Sequence, residues 1–526
     1  MSTRLKEPYI PARKAARPDA HGLAIWISGI TFAAGLLLLT GCTVGPNYQR
    51  ASVPTPPAYK EPPPAGWKDA TPHDEISKGN WWEVFGDSQL NDLETQALMA
   101  NQTLQAAVQR VLESRASLAV TRSQQYPQVS AQPSYGGGRS SGTRPLPPNS
   151  LDLPYSSYQF SLPADVSYEV DLWGGIHRQV ESAKAQVQLS VANYENVLLT
   201  VKSDVAEYYV MTRYIDGERV ILKNNIDLQQ KALDLTEARH NGGVASGLDV
   251  SEAETLLETT QADYIGLGVQ RSQFEHALAV LLGKAPAEFS LPDNPLDLKP
   301  PAIPPGLPSD LLERRPDVAA AERTMASDNA QIGVARAAFF PSLPLTGSAG
   351  LLTGDFGKLF TSPSIVWSAA ANMIAPLYTG GQLQGNLAHA QATYNESVAD
   401  YRQQVLMAFQ QVEDALSGLR VLEDQAAAYD KAVQSAQQTV DISTSRYREG
   451  LANFLEVITA QVTLLQNQLV ADQILEQRLL TTIELIQALG GGWQDSTIYS
   501  TATSLRTTPP QAAAQPTPNG APPTHP

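Results

Sequence analysis

The chain runs to 526 residues; 42% are hydrophobic yet only 7% aromatic, and 53 acidic side chains against 37 basic ones leave a net charge of -16. So few aromatics suit long, narrowly packed helices better than a thick globular core, and so acidic a chain is a poor binder of a phosphate backbone, which argues against nucleic acid as a partner. The single cysteine excludes an intrachain disulfide, and the seven histidines stand at no metal-ligand spacing, so neither a metal nor any other cofactor is expected.

The first segment reads as an export signal. Arg4, Lys6, Arg13, Lys14 and Arg17 precede an uncharged run over 22–40, and small residues then lead into Cys42. The pattern over 1–41 resembles a bacterial lipoprotein signal, in which the cysteine thiol is acylated and the chain is cut before it. The alternatives are an uncleaved anchor, since 19 uncharged residues just span a bilayer, and a buried free cysteine. Thr43, standing where Asp is absent, resembles lipoproteins sent on to the outer membrane. Without residues 1–41 the chain keeps 32 basic against 51 acidic side chains, formally -19.

Residues 42–80 form a Pro-rich tether, kept extended by Pro54, Pro56, Pro57, Pro62, Pro63, Pro64 and Pro72. Beyond it two stretches repeat at a constant offset of 207, matching Gly174 to Gly381, Arg239 to Arg446, Gly243 to Gly450, Leu248 to Leu455, Ala253 to Ala460 and Gly283 to Gly490. Tyr126-Pro127 answers Phe340-Pro341 at a slightly different offset. Each half reads helix, strand, strand, long helix, turn, helix. The first half covers 81–300, with strands at about 127–172 and a helical hairpin over 176–283; the second covers 301–492, with strands at about 341–378 and a hairpin over 382–489. Residues 493–526, rich in Thr, Pro and Ala, read as a disordered tail.

The strands carry the first functional signal. From Tyr158 to Leu172 apolar residues alternate with Gln159, Ser161, Pro163, Asp165, Ser167, Glu169 and Asp171, so one face suits an apolar medium and the other water. Ile365, Trp367, Ala369, Ala371, Met373, Ala375 and Leu377 continue the theme in the second half, and shorter alternations start at Val129 and Leu343. A half-buried soluble sheet gives the same pattern, but no amphipathic helix is set aside to cover it. A sheet in lipid leaves no edge unpaired, and four strands are too few to close a barrel, so the barrel is shared between chains. Gly136 to Gly138 through Pro147 to Asn149, and Gly354 to Pro363, read as its outward loops. Asp165, Glu169 and Asp171 line the water-filled lumen rather than a catalytic cluster.

The helices carry the second. Ala183, Val187, Val191, Tyr194, Leu198, Val201, Val205, Tyr208, Thr212 and Ile215 recur about every 3.6 residues, predicting an amphipathic helix from about Ile176 to Arg239 and roughly 95 Å long. A coiled-coil stalk would look similar, except that strands of membrane type are set into the same repeat. The turns at Gly242, Gly243 and Gly247, and at Gly450, supply the positive φ that a helix end takes and form the tips farthest from the barrel.

Several short motifs then carry a family resemblance: Gly41-Cys42-Thr43-Val44-Gly45-Pro46-Asn47-Tyr48, Trp81-Trp82 before Phe85-Gly86-Asp87 and Leu90, Asp171-Leu172-Trp173-Gly174, Glu313-Arg314-Arg315-Pro316-Asp317, and Arg446-Tyr447 with Gly450. Over about 41–492 the chain resembles the outer membrane factor family of TolC-like channels, in its NodT-type lipoprotein branch. The resemblance implies an internally duplicated α+β membrane protein. In it a homotrimer builds one outer membrane β-barrel, four strands per chain, continuous with a long periplasmic α-helical tunnel. The implied partners are outer membrane lipid, a periplasmic adaptor (a membrane fusion protein) and an inner membrane RND-type pump. It also implies a gate at the tips: Leu455 and Glu456 match its leucine and first acidic position, Thr459 departs at the second, and Asp249 and Glu252 occupy the equivalent turn of the first half. Glu456 and Asp249 equally suit the first turn of a helix, where a carboxylate is favourable. The function implied is passive efflux of small molecules and no enzyme activity. The alternatives are a type I secretion duct and a non-conducting structural surface lipoprotein.

Overall fold

The computed structural model describes residues 43–61, 80–139, 141, 156–295, 297–303 and 314–491; Cys42, the signal over 1–41 and the tail over 493–526 lie outside them. The chain divides into two compact units, each drawing segments from both halves of the repeat.

One unit comprises the residues up to Pro46 together with Ser123–Gln179 and Gly333–Leu387, and its centre is an antiparallel sheet. The strands are β1 (Gln128–Ala131), β2 (Ser134–Arg139), β3 (Ser156–Glu169), β4 (Pro344–Thr353) and β5 (Ile365–Ala371), ordered β1-β3-β4-β5 with β2 also on β3. β1 and β2 keep one register, Ala131 facing Ala164 and Ser134 facing Ser161. They are one strand broken where Pro133 and Pro163, which lack the N–H a ladder needs, oppose each other's neighbours.

Three expectations change here. Gly136, Gly137 and Gly138 lie in β2, paired with Gln159, Tyr158 and Ser157, not in an outward loop. A Cβ on Gly137 would sit 3.0 Å from the Tyr158 ring, so glycine makes room for that aromatic. The alternation predicted to Leu377 stops at Ala371 and survives only as the isolated bridge of Ser342 to Ile374, because Pro344 has no N–H to give at the point between. Asp171, expected on the lumen face of a strand, lies beyond the end of β3 at Glu169. Its carboxylate instead accepts from the N–H groups of Ile176 (3.1 Å) and His177 (2.7 Å), capping the helix that follows.

The segment after Cys42 is wedged into the same unit. Val44 N–H donates to the Trp173 carbonyl (3.1 Å), and the Arg178 Nε donates to the Val44 carbonyl (3.3 Å). Gly45 takes φ +101°, and a Cβ there would lie 2.6 Å from the Gly333 Cα, while one on Gly333 would lie 2.7 Å from Arg178 Cγ. Glycine is thus required on both sides of a close crossing. Trp173 stacks on Phe340 at 4.6 Å and donates its indole N–H to the Pro341 carbonyl (2.8 Å), tying the two strand entrances together.

The other unit is helical. The helices of the chain are α1 (Ser88–Ala100), α2 (Gln102–Ser123), α3 (Gly175–Asn241), α4 (Gly247–Leu281), α5 (Pro316–Ala337), α6 (Gln382–Arg448) and α7 (Phe454–Ala488). Adding 207 to the bounds of α3 and α4 gives those of α6 and α7, at 67 and 35 residues, and adding 214 to those of α2 gives α5, at 22 residues. Even the terminating turns repeat. Gly243, Gly450, Gly283 and Gly490 take φ of 77°, 79°, 67° and 88°, and the next residue's N–H in each case bonds back to the carbonyl five residues earlier, closing a Schellman turn. Gly242 and Gly247, expected to share that role, do not take positive φ: Gly242 still bonds to the Ala238 carbonyl (3.1 Å), and Gly247 begins α4.

The core gathers Trp81, Trp82, Phe85 and Leu90 with Val205 and Tyr209 of α3, Leu278 of α4, Leu416 of α6 and Ile483 of α7. Asp87 caps α1 and also accepts from the Tyr209 hydroxyl (2.6 Å), which fixes that corner. The tether is not bare along its described length. Tyr48, Ala51 and Val53 pack beside Met325 and Tyr401; the Tyr48 hydroxyl donates to Glu322 (2.7 Å), and the N–H groups of Lys60 and Glu61 donate to the Glu413 carboxylate (2.7 and 2.9 Å).

A buried ionic network fastens the segment after α4. Asp216, with 3% of its surface exposed, accepts from Arg213 Nη1 (2.9 Å), Arg271 Nε (2.7 Å) and the Asn294 N–H (3.0 Å). Arg213 also donates to the Pro292 carbonyl (2.6 Å), and Arg271 to the Leu291 carbonyl (2.7 Å). Glu275 completes the set, accepting from Arg271 (3.0 Å) and from the Leu291 N–H (2.6 Å). Each charged side chain of this network therefore has a partner of opposite sign, which a buried ion cluster requires.

Candidate functional site: a two-faced sheet and the paired helix tips

The register of the sheet sorts its two faces. Phe160 faces Tyr135 and Thr353, Leu162 faces Leu351, Ala164 faces Ala131 and Ala349, and Val166 faces Val129 and Gly347. The row continues through Leu351 to Ile365 and Ala349 to Trp367. On the opposite face Asp165 pairs with Ser130 and Ser348, and Ser348 with Ser368, so a hydroxyl-and-carboxylate row crosses the whole sheet. The apolar row is uncovered: Val129, Tyr135, Tyr158, Ile365 and Trp367 are exposed, Trp367 at 79%. Glu169 closes β3, opposite Pro344.

The tips are paired within the helical unit. Arg239, near the end of α3, donates from Nη1 to the carbonyls of Tyr447 (2.9 Å) and Arg448 (3.2 Å) at the end of α6, and its guanidinium lies 4.6 Å over the Tyr447 ring. Tyr447 packs on Phe454, and Ala232, Leu233, Ala253, Leu257 and Val457 complete the apolar cluster beneath. The sequence marked Arg239 only as the match of Arg446; its clamp on the other hairpin went unread. Repetition at a helix end was the available signal.

The expected gate residues fall in the first turns of α4 and α7. Asp249 forms a reciprocal capping box with Ser246, each side chain taking the other's N–H at 3.2 Å. Asn453 caps α7, accepting from the Glu456 N–H (3.1 Å), so Glu456 itself is left outward with its carboxylate 3.9 Å from Arg446. Thr459 returns its hydroxyl to the Leu455 carbonyl (2.8 Å), and Leu455 is 59% exposed. Glu252 sits in the same turn region of α4, partly exposed. Ile442, Arg446, Leu455, Glu456 and Thr459 line an open groove of about 540 Å³ between α6 and α7. Among the described residues no group of three or more His, Cys, Asp or Glu side chains could hold a metal ion.

Farther along the helices, Glu218 of α3 meets Asp472 and Glu476 of α7. Burial, reinforced by the neighbouring carboxylates, pushes Asp472 and Glu476 up to about 7, and the Tyr214 hydroxyl donates to Glu218 (2.7 Å). Asp317, by contrast, is held below the usual carboxylate range despite its burial, because Arg315 grips it with two bonds (3.0 and 2.6 Å).

Known proteins share this arrangement. The family model "Outer membrane efflux protein" matches residues 93–284 and 307–491. The pyoverdine export outer membrane protein OpmQ of Pseudomonas aeruginosa is 31% identical over 474 residues, covering 89% of this chain and 98% of that protein. The cation efflux system protein CusC of Escherichia coli O6:H1 is 30% identical over 461 residues, 87% of this chain and 97% of that one. Among solved structures, the outer-membrane channel OprN superposes with a TM-score of 0.79 at 29% identity, covering 86% of this chain and all of that one. The chain therefore belongs to the outer membrane efflux protein family and serves in the outer membrane as the channel component of an efflux system.

Proposed function

We propose that three copies of the chain combine into one passive conduit, each giving its sheet to a shared barrel and its helices to a periplasmic tunnel. The observation that carries this reading is the sheet. One face is apolar except for Thr353 and carries exposed side chains from Val129 to Trp367, the other carries Ser130, Asp165, Ser348 and Ser368, and both edges, β1 with β2 and β5, end without a further strand among the described residues. In lipid those edge groups need partners. β5 runs opposite to β1, so β5 of one copy and β1 of the next continue the antiparallel order. Counting β1 and β2 as one, three copies give twelve strands, within the range of closed barrels.

The cargo is small molecules, chosen by an inner membrane RND-type pump and handed over by a periplasmic adaptor. The relatives named for pyoverdine, cation and toluene efflux support that cargo class. The wall of the conduit does no chemistry, and selectivity comes from its small polar side chains and from the tips, where Leu455, Glu456 and Thr459 with Asp249 and Glu252 form the constriction. A lipid on Cys42 adds an anchor; the seating of Val44 and Gly45 directly behind it supports a fixed place for that lipid.

Purified protein in planar bilayers should give discrete conductance steps and a trimer on chemical cross-linking. A protein that folds but stays electrically silent, even after Leu455 and Glu456 are both replaced by Ala, overturns the conduit. Intact mass of the mature chain tests the lipid separately: an unmodified Cys42 removes it.

A further inference from the structure

The two hairpins of the helical unit meet through unlike helices. Away from the tips α3 faces α7: Asn225 Nδ2 donates to Gln468 Oε1 (2.8 Å), and a Cβ on Gly217 would lie 3.2 Å from Asp472 Oδ2. α4 lies beyond α3, with Arg219 donating to the Tyr264 hydroxyl (3.2 Å), and α6 lies beyond α7, with a Cβ on Gly418 falling 3.3 Å from Thr481 Cγ2. At this height the helices therefore run in the order α4, α3, α7, α6. The offset of 207 turns α3 into α6 and α7 into α4. The contact of α3 with α7 thus has a counterpart in a contact of α6 with α4, which stand at opposite ends of the row within one chain.

The residues at those two ends suit such a contact. Tyr214, Glu218 and Asn225 of α3 correspond to Val421, Gln425 and Ala432 of α6, and Gln468, Asp472 and Glu476 of α7 correspond to Gln261, Ile265 and Val269 of α4. Ile265 and Val269, one turn apart on the same side of α4, are 73% and 63% exposed, and Val421 is 52% exposed. Gly266 and Gly268 beside them have nothing within 4 Å of an added Cβ. Glycine weakens a helix interior, and no contact inside the chain requires it there, whereas close approach by a second helix does.

The two seams differ in charge. Within the chain Glu218, Asp472 and Glu476 crowd one another, burial pushes all three carboxyls up, and the Tyr214 hydroxyl donates to Glu218. Asp430 and Arg478 line the adjoining groove, where Arg478 lies 3.9 Å from Glu423, and Arg219 is held by Asp293 (2.9 Å), so neither guanidinium is paired with the three carboxylates. The counterpart places hold Gln425, Ile265 and Val269. Asp424, in the place of Gly217, leaves one carboxylate there against three.

We propose that the flank of α4 bearing Ile265 and Val269 docks on the flank of α6 bearing Val421, Gln425 and Ala432 in the next copy, and that charge on Glu218, Asp472 and Glu476 loosens the conduit inside each chain while this apolar seam keeps the copies joined. The inference rests on the three-copy conduit proposed above and names the surfaces that build it. The contact joins unlike surfaces, so it is satisfied at every copy only when the copies close into a ring.

Cysteine pairs introduced into the full-length chain carrying Cys42→Ser read the two seams separately. With an added oxidant, Gln261→Cys with Ala432→Cys should link copies into dimers and trimers, whereas Asn225→Cys with Gln468→Cys should close within one chain. Between about pH 5 and 8 the rate of the second pair relative to the first should fall about threefold or more, and Asp472→Asn with Glu476→Gln should abolish that fall. Amine cross-linking of the unaltered protein reads assembly by itself, and absence of a trimer there removes the three-copy conduit. A trimer in which the first pair stays unlinked, or links within one chain, overturns the docking surface. A rate ratio that does not change with pH overturns the loosening inside the chain.

Discussion

Asp216→Ala is expected to be among the most damaging single changes in the helical unit. The carboxylate lies 2.9 Å from Arg213 and 2.7 Å from Arg271 and also holds the Asn294 N–H, with almost no surface exposed. At an effective dielectric of about 20 each contact is worth about 6 kcal/mol of Coulomb attraction, most of it offset by the desolvation of three ions. Deleting the anion loses the attraction but keeps the desolvation of the two guanidiniums left in the core. Such removals cost about 3–5 kcal/mol. Asp293→Ala is the internal control, because it takes a carboxylate from the same Arg271 at 2.8 Å but from a side chain 64% exposed, where solvent limits the loss to about 1 kcal/mol or less. Guanidinium unfolding followed by helical circular dichroism ranks the two, and proteolysis within 284–303 reports release of the connector. Equal destabilisation by the two changes would refute the claim that burial of the network fixes its strength.

Further outcomes follow from other features. Gly45→Ala places a Cβ 2.6 Å from the Gly333 Cα at a φ of +101°, so it should cost about 1–3 kcal/mol and expose residues 43–61 to protease, whereas Gly86→Ala, with open space around it, should be milder. The seam of Glu218, Asp472 and Glu476 gives a pH dependence of definite sign. Folded values raised to about 7 for Asp472 and Glu476 contribute stability that is fully present below about pH 4 and lost as pH rises through about 7. Asp472→Asn with Glu476→Gln should flatten melting temperature between pH 5 and 8; an unchanged slope sinks the assignment. Glu456→Ala with Asp249→Ala should lower the cation preference of single-channel currents if those carboxylates ring the constriction, and unchanged ion selectivity removes them from it. Arg239→Ala breaks the clamp on the Tyr447 and Arg448 carbonyls and should raise the open fraction in the same recordings.

The helices were the most legible part of the chain because their evidence is local. The 3.6-residue period placed α3 to within two residues, the repeat carried that placement to α6, and the offset of 207 holds at all of their bounds. The strands were harder. Alternation continues past the point where pairing stops, since side chains alternate in any extended chain while the ladder needs donors that Pro133, Pro163 and Pro344 lack. Asp171 was misplaced for that reason: it keeps the alternating pattern but caps α3. Gly136 to Gly138 read as a loop because glycines in a row signal a turn, whereas their β3 partners Gln159, Tyr158 and Ser157, and the Tyr158 ring that only Gly137 accommodates, lie some distance away in sequence. The buried network was invisible for a similar reason, since Arg213, Asp216, Arg271 and Asn294 are brought together only by the fold. The signal that the sequence does hold is the same offset of 207 that joins Arg239 to Arg446, since it also joins Arg213 to Arg420 and Arg271 to Arg478.

The equal lengths of α3 with α6 and of α4 with α7 constrain how this chain can vary. One residue inserted into α3 advances everything beyond it by 1.5 Å and turns it by about 100°. That would swing Leu233 away from its place against Val457 and carry Arg239 off the Tyr447 carbonyl, while α6 stayed still. A change of length in one helix needs the same change in its counterpart at the same height. Substitutions on these helices are free to accumulate one at a time, but insertions and deletions are admissible only in matched sets, so length, more than residue identity, is what this architecture holds fixed.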